Sequence, residues 1–152
     1  MKPYPHRYLA SAAGGPEGTV TLTGPSLPSI ATAPPPEFDG PDGLWGPETL
    51  LTAAVSDCII LTFRAVARAS HFEWLALECR TEGVLDRVDG SAQFTRFTTV
   101  AHLRIPAGAS AETARQLLEK AERGCLVANS LRALRTLQVQ VITAGQPAVQ
   151  PA

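Results

Sequence analysis

Two cysteines, Cys58 and Cys125, lie in the parts of this sequence best suited to carry chemistry. A cysteine thiolate is a nucleophile, and the sulfenic acid that it forms on oxidation condenses with a second thiol to a disulfide. Each of the two lies in an apolar pattern typical of a helix. The presence of two cysteines in such motifs favours the hypothesis of a working dithiol. Their separation of 67 residues does not say whether they meet, because only the fold can bring them together.

Both cysteines also have a simpler interpretation, as small hydrophobic residues that pack in a core. The carboxylate of Asp57 opposes a reactive Cys58, because a nearby anion raises the pKa of a thiol. Cys125 follows Gly124 at a predicted helix start, a position that lowers the pKa of a thiol. The third cysteine, Cys79, lies on the apolar face of a predicted strand, and we interpret it as a packing residue.

Composition restricts the classes of function. The formal net charge of −1 gives no basis for binding nucleic acid or an anionic membrane. The three histidines and three cysteines show no spacing typical of zinc ligands, so we expect no metal and no cofactor. We find no uninterrupted apolar run of roughly 18–20 residues that could span a bilayer and no apolar segment of a signal peptide. We therefore expect a cytoplasmic protein that does not insert into a membrane.

The predicted organisation is one domain over residues 1–144, followed by a disordered tail at 145–152. Seven of the 13 prolines lie between Pro25 and Pro47, which excludes a helix there and predicts a long surface loop. The clearest element is the helix that begins at Pro47 and ends near Ser70. Its apolar stripe widens to almost all sides, which predicts a central helix buried on most faces.

The other predicted elements mix strands and helices. Alternating patterns predict strands at 8–10, 19–23, 74–83, 93–105 and 137–141. The turn at 89–91 is expected to join the third and fourth of these strands as an antiparallel hairpin. Ser110 and Gly124 are typical caps for a helix between them, and a second helical piece is predicted from Leu126 to about Leu134.

Three sequence motifs, in this order, resemble the OsmC/Ohr family of osmotically induced and organic hydroperoxide resistance proteins. They are FDGP at 38–41, GPETLLTAAVSDC at 46–58 and GCLVANSL at 124–131. The resemblance extends from about Tyr8 to Val141. It implies an α+β fold in which two antiparallel sheets wrap the central helices of an intertwined homodimer.

The resemblance also implies an activity, that of a thiol peroxidase acting on organic hydroperoxides. Cys58 matches the peroxidatic cysteine of the family, Cys125 the resolving cysteine and Glu48 the active-site glutamate. A small thiol, thioredoxin or a lipoylated protein is the implied reductant. Glu48 and Cys58 are ten residues apart on one predicted helix, about 15 Å along its axis. If they share a site, either the glutamate comes from the partner chain or the helix is kinked.

The chain departs from the family pattern at the position of its activating arginine. The first hairpin turn, where the arginine usually lies, reads GGPEG at 14–18, and no arginine occurs between Arg7 and Arg64. Leu126 replaces the proline that is common after the second cysteine, and Asp57 is unusual before the first. Two hypotheses follow: an organic hydroperoxide reductase, or a catalytically weak or inactive OsmC-like protein that binds a small hydrophobic molecule or senses redox state.

Overall fold

The computed structural model of the chain describes residues 2–145. They fall into two compact units, with the boundary between Leu50 and Leu51. Apart from Gly145, the predicted disordered tail lies outside the described residues.

The N-terminal unit contains a small antiparallel sheet of three strands in sequence order. The strands are β1 (Ser11–Ala13), β2 (Val20–Thr23) and β3 (Ile30–Thr32). The first strand lies three residues later than the predicted 8–10, because β2 pairs with it from Ser11 opposite Thr23 onward. The proline-rich segment forms a connecting loop that holds β3 and a short 3-10 turn at Pro36–Phe38, as its proline content predicts.

The C-terminal unit is built on a second sheet of three strands. They are β4 (Ala76–Val88), β5 (Ser91–Ile105) and β6 (Leu134–Thr143). The predicted hairpin of β4 and β5 is confirmed, and Asp89 and Gly90 form its turn with φ angles of 50° and 82°, as a two-residue hairpin turn requires. The α+β fold with two sheets is therefore confirmed.

One feature of this second sheet differs from the prediction of two antiparallel sheets. Strand β6 runs parallel to β5, with Leu134 opposite Arg96 at its start. A parallel neighbour needs a crossover connection, and here two helices supply it, α2 (Ala111–Arg123) and α3 (Leu126–Asn129). The predicted helical piece at 126–134 is wrong beyond Asn129, because pairing with β5 takes the chain into β6 from Leu134.

The caps predicted for α2 are present. Ser110 Oγ accepts a hydrogen bond from the Thr113 amide at 3.1 Å, and Gly124 is the C-cap residue. The helix buries Ala114, Leu118 and Ala121.

The long helix α1 (Pro47–Ala69) supplies the other side of the core of the C-terminal unit. Its buried residues recur every four positions: Val55, Ile59, Phe63 and Ala67. They pack with the apolar face of β5, which alternates as predicted: Phe97, Ala101, Leu103 and Ile105. The prediction that α1 is buried on most faces is wrong for the chain alone, because only this stripe is buried.

By length and composition, α1 could cross a membrane, since an 18-residue window reaches a mean hydropathy of 1.7. By length and composition alone, the expectation that no segment could span a bilayer is therefore wrong. Core helices of globular proteins pass the same test, and the buried stripe of α1 belongs to such a core.

A row of hydroxyl groups runs between α1 and the sheet of the C-terminal unit. Ser56 Oγ donates to Thr81 Oγ1 of β4 at 2.7 Å, and Thr81 Oγ1 lies 2.8 Å from Thr99 Oγ1 of β5. Thr99 is only 3% exposed. Each hydroxyl therefore has a partner in a region from which water is largely excluded.

Gly83 of β4 marks the closest approach of the core to the backbone. A Cβ placed there would lie 2.9 Å from each of three side-chain atoms, in Phe94, Phe97 and Thr52. The two phenylalanine rings are stacked with centroids 4.9 Å apart, so neither ring can give way without disturbing the other.

We expect Gly83→Ala to lower the free energy of unfolding by about 1–3 kcal/mol, because overpacking displaces core side chains. Urea unfolding followed by circular dichroism measures this change. Gly15→Ala is the matched control, since its nearest contact at 3.7 Å leaves room for a methyl group. Equal stability of the two variants would contradict the packing described for Gly83.

Candidate active site

The fold brings Cys58 and Cys125 together within the C-terminal unit, close enough for each thiol to shift the pKa of the other. Cys58 lies in the middle of α1 and is half-buried. Cys125 is the N-cap residue of α3, and its Sγ accepts a hydrogen bond from the Ala128 amide at 3.4 Å. Cys125 has no exposed surface, so the outer sulfur of the pair is that of Cys58.

Local contacts hold α3 and therefore Cys125 in place. Asn129, the last residue of α3, donates its side-chain amide to the Arg123 carbonyl at the end of α2 at 3.0 Å. Its side-chain oxygen accepts from Arg135 of β6 at 2.8 Å. Arg135 also lies 3.6 Å from Glu122 of α2. The short helix is therefore fastened to the elements before and after it.

Cys58 is surrounded by hydrogen-bond donors. Burial alone raises the pKa of its thiol, but four donors oppose this and hold the pKa of Cys58 below its usual value. In order of decreasing effect, they are the Cys125 thiol, the Val127 amide, the Thr62 hydroxyl and the Leu126 amide. Since these groups stabilise the negative sulfur, the site favours a Cys58 thiolate without using a cation.

Cys125 has the opposite character. Burial, its hydrogen bond to Cys58 and the negative charge on Cys58 raise the pKa of Cys125 to about 11, against the opposing effect of the Ala128 and Val127 amides. Of the two thiols, Cys58 is therefore the one that loses its proton more easily, and Cys125 is the one that keeps it. This division of roles is suited to one attacking and one resolving cysteine.

Cys79 and Asp57 do not take part in this arrangement. Cys79 is half-buried on β4, where burial and then the charge of Glu78 raise the pKa of its thiol to about 12. Asp57 is exposed and is not among the groups that shift the pKa of Cys58. The carboxylate that precedes Cys58 in sequence thus points away from it, as adjacent positions on a helix do.

Glu48 belongs to the N-terminal unit, at the first turn of α1. It is half-buried and lines a pocket of about 420 Å³. The other lining residues are mostly apolar: Val20, Leu22, Thr32, Ala33, Pro34, Pro35, Phe38, Pro47 and Leu50.

Sequence reasoning missed three donors to Cys58: Thr62 and the amides of Leu126 and Val127. Thr62 follows Cys58 by four residues, a spacing that places both on one helix face, so this signal was present in the sequence. Leu126 was recognised only as a replacement for proline. Within residues 2–145, no group of three or more His, Cys, Asp or Glu side chains is placed to hold a metal ion.

The pKa directions predict an order of alkylation. At pH 7, we expect iodoacetamide to modify Cys58 before Cys79 and Cys125, because the lowered pKa of Cys58 gives it a larger thiolate fraction than thiols whose pKa is raised to about 11 (Cys125) and about 12 (Cys79). Peptide mapping after brief alkylation of the reduced protein measures the order. Modification of Cys79 at the same rate as Cys58 would contradict the assignment.

Comparison with known proteins supports a family. The family model described as OsmC-like protein matches residues 40–140, which contain both Cys58 and Cys125. The peroxiredoxin OsmC of Escherichia coli (strain K12) is 28% identical over 104 residues, covering 68% of this chain and 71% of that protein.

Solved structures match over a longer part of the chain. An organic hydroperoxide resistance protein OsmC from Legionella pneumophila superposes with a TM-score of 0.71 at 26% identity, covering 91% of this chain and 98% of that one. An OsmC-like protein of unknown function from Vibrio cholerae gives 0.81 at 15% identity, covering 90% and 100%, and supports the fold alone. With the fold and the family model in agreement, this chain belongs to the family of OsmC-like proteins.

Proposed function

We propose that this protein is a thiol-dependent peroxidase that reduces organic hydroperoxides to alcohols through a dithiol–disulfide cycle of Cys58 and Cys125. The observation that supports it most directly is the coupled thiol pair, in which the pKa of Cys58 is lowered and that of Cys125 is raised. Relatives named as a peroxiredoxin and as an organic hydroperoxide resistance protein support the same reaction class.

In the first step, the Cys58 thiolate attacks the distal oxygen of the hydroperoxide. An S–O bond forms, the O–O bond breaks, and the alkoxide leaves and takes a proton from solvent to become the alcohol. Cys58 then carries a sulfenic acid.

In the second step, the sulfur of Cys125 attacks the sulfur of Cys58. The S–O bond breaks, and the hydroxyl group leaves with the proton of Cys125 as water, so a disulfide forms before the sulfenic acid is oxidised further. A thiol or a lipoylated protein returns the disulfide to two thiols by exchange and is itself oxidised to a disulfide.

We further propose that the working form is a homodimer in the cytoplasm, with residues 1–144 of each chain acting as one domain. The supporting observation is that only 22% of the apolar 18-residue window of α1 is buried within one chain. Leu61 of α1, for example, is 50% exposed. An apolar surface of this size needs a cover, and a second copy of the chain is the cover that we propose.

The dimer also explains how Glu48 could take the active-site role that the family resemblance suggests. Helix α1 is continuous from Pro47 to Ala69, so Glu48 is about 15 Å along the axis from the Cys58 of its own chain. We propose that Glu48 acts at the thiol pair of the partner chain.

A binding protein without turnover is the second candidate, and the pocket beside Glu48 favours it. The pocket of about 420 Å³ is large enough for a small hydrophobic molecule, and the hairpin turn at 14–18 contains no arginine to activate a peroxide. In this case, the cysteines would serve as packing residues or as a sensor of the redox state.

The peroxidase proposal predicts a defined mass change. One equivalent of cumene hydroperoxide should remove two hydrogen atoms from the reduced protein, mapped to a Cys58–Cys125 disulfide, because the two thiols are near enough to shift each other's pKa. With a dithiol reductant present, we expect turnover in the wild type, none in Cys58→Ser, and rapid over-oxidation of Cys58 in Cys125→Ser. Cys79→Ser is the control and should behave as wild type. Thiols that stay reduced would contradict the proposal and favour the binding protein.

Native mass spectrometry tests the assembly. We expect a species of twice the chain mass at micromolar concentration, because the apolar surface of α1 drives association. A stable monomer would contradict the dimer, and a protein recovered only in detergent would instead indicate that a membrane covers α1.

A lipophilic molecule that adds its mass to the species supports the binding protein, whereas an empty protein that takes up no lipophilic probe argues against it.

A further inference from the structure

The hydroxyl group of Thr62 faces the sulfur of Cys58. Thr62 Oγ1 lies 3.9 Å from Cys58 Sγ, one turn further along α1. A serine or threonine hydroxyl inside a helix commonly bonds to the backbone carbonyl four residues earlier. Ser130, the C-cap residue of α3, makes the same kind of bond, with its Oγ donating to the Leu126 carbonyl at 2.9 Å. Thr62 differs, because its hydroxyl reaches the side chain of the residue four positions earlier.

The methyl group of Thr62 is held by the end of α2. A Cβ placed on Gly124 would lie 3.5 Å from Thr62 Cγ2, an ordinary van der Waals distance, so the threonine methyl faces Gly124. With the methyl branch on this side, the hydroxyl branch is directed toward Cys58. Packing with Gly124 and the contact with sulfur therefore select the same side-chain rotamer of Thr62.

Among the donors to Cys58, Thr62 is the one whose position depends least on the other elements of the site. The other donors to Cys58 are the Cys125 thiol and the amides of Leu126 and Val127, which all lie at the start of α3. Thr62 lies on α1 with Cys58 itself. The proton of Cys125 is also lost when the disulfide forms, whereas the hydroxyl of Thr62 remains throughout the cycle.

We propose that Thr62 is a further catalytic residue, whose hydroxyl donates a hydrogen bond to the Cys58 thiolate. The first hairpin turn, at 14–18, contains no arginine that could stabilise this thiolate. The donor is unambiguous in this state, because a thiolate has no proton to give. The proposal rests on the proposed function in that Cys58 is the nucleophile. Cys125 is the titratable group that contacts Cys58 from α3, and Asp57, on the same helix, is exposed.

The test is the pH dependence of alkylation of Cys58, a readout that does not require peroxidase activity. Full-length, reduced wild type, Thr62→Val and Thr62→Ser are treated briefly with iodoacetamide across a range of pH, and the label on Cys58 is quantified by peptide mass. Valine keeps the methyl packing and removes the hydroxyl, whereas serine keeps the hydroxyl. Thr99→Val removes a buried hydroxyl that does not contact Cys58 and is the matched control.

In Thr62→Val, we expect the midpoint for Cys58 to rise by about half to one pH unit, since each unit is a tenfold change in the ionisation constant and the contact is long for a charged hydrogen bond. Thr62→Ser and Thr99→Val should keep the midpoint of the wild type. An unchanged midpoint in folded Thr62→Val overturns the role of Thr62. So does an equal shift in Thr99→Val, because the cause would then be general loosening of the core.

The result separates this inference from the peroxidase proposal. A shifted midpoint in Thr62→Val together with no peroxide turnover in the wild type supports the role of Thr62 and refutes the peroxidase. Turnover in the wild type with an unchanged midpoint in Thr62→Val refutes the role of Thr62 alone.

Discussion

The contact between the thiols of Cys58 and Cys125 is the interaction on which the chemistry of this protein depends. It joins two helices that are far apart in sequence, and the rest of the C-terminal unit maintains it. The buried stripe of α1 packs on β5 and α2, and Asn129 fastens α3 to its neighbours. Because the pKa of Cys58 is lowered and that of Cys125 is raised, the pairing also sets which sulfur attacks and which one resolves.

The site stabilises a negative sulfur with dipoles instead of a formal charge. An arginine acts over several ångströms, whereas an amide or hydroxyl acts only when it is aimed at the sulfur. Replacing proline by Leu126 is meaningful in this context, because proline has no N–H and the amide of Leu126 is one of the donors to Cys58. The chain thus lacks the hairpin arginine of its family pattern but has an additional amide donor.

Local signals predicted the elements that depend on local chemistry. Pro47 begins α1, Ser110 caps α2, and the alternation of β5 gives its buried face correctly. Elements set by distant pairing were predicted less well. The parallel direction of β6 and the early end of α3 follow from pairing with β5, which no local pattern encodes.

The same distinction holds for the candidate site. The two cysteines were found from motifs, but their contact was not, because it requires the crossover through α2. The role of Thr62 follows from a four-residue spacing that was visible in the sequence, although the packing of its methyl group against Gly124 was not. Glu48 remains a prediction from family resemblance.

The row of hydroxyls formed by Ser56, Thr81 and Thr99 bears on how the chain avoids an incorrect packing. The buried apolar residues of α1 recur every four positions, so sliding the helix by one turn would again place apolar side chains on the sheet. Such a slide would separate Ser56 from Thr81 and lose the hydrogen bond between α1 and the sheet, at a cost of about 0.5–1.5 kcal/mol. The row of hydroxyls therefore fixes the register of α1 on the sheet. Because the apolar residues of α1 are repetitive, this polar contact selects the one register in which Cys58 lies beside Cys125.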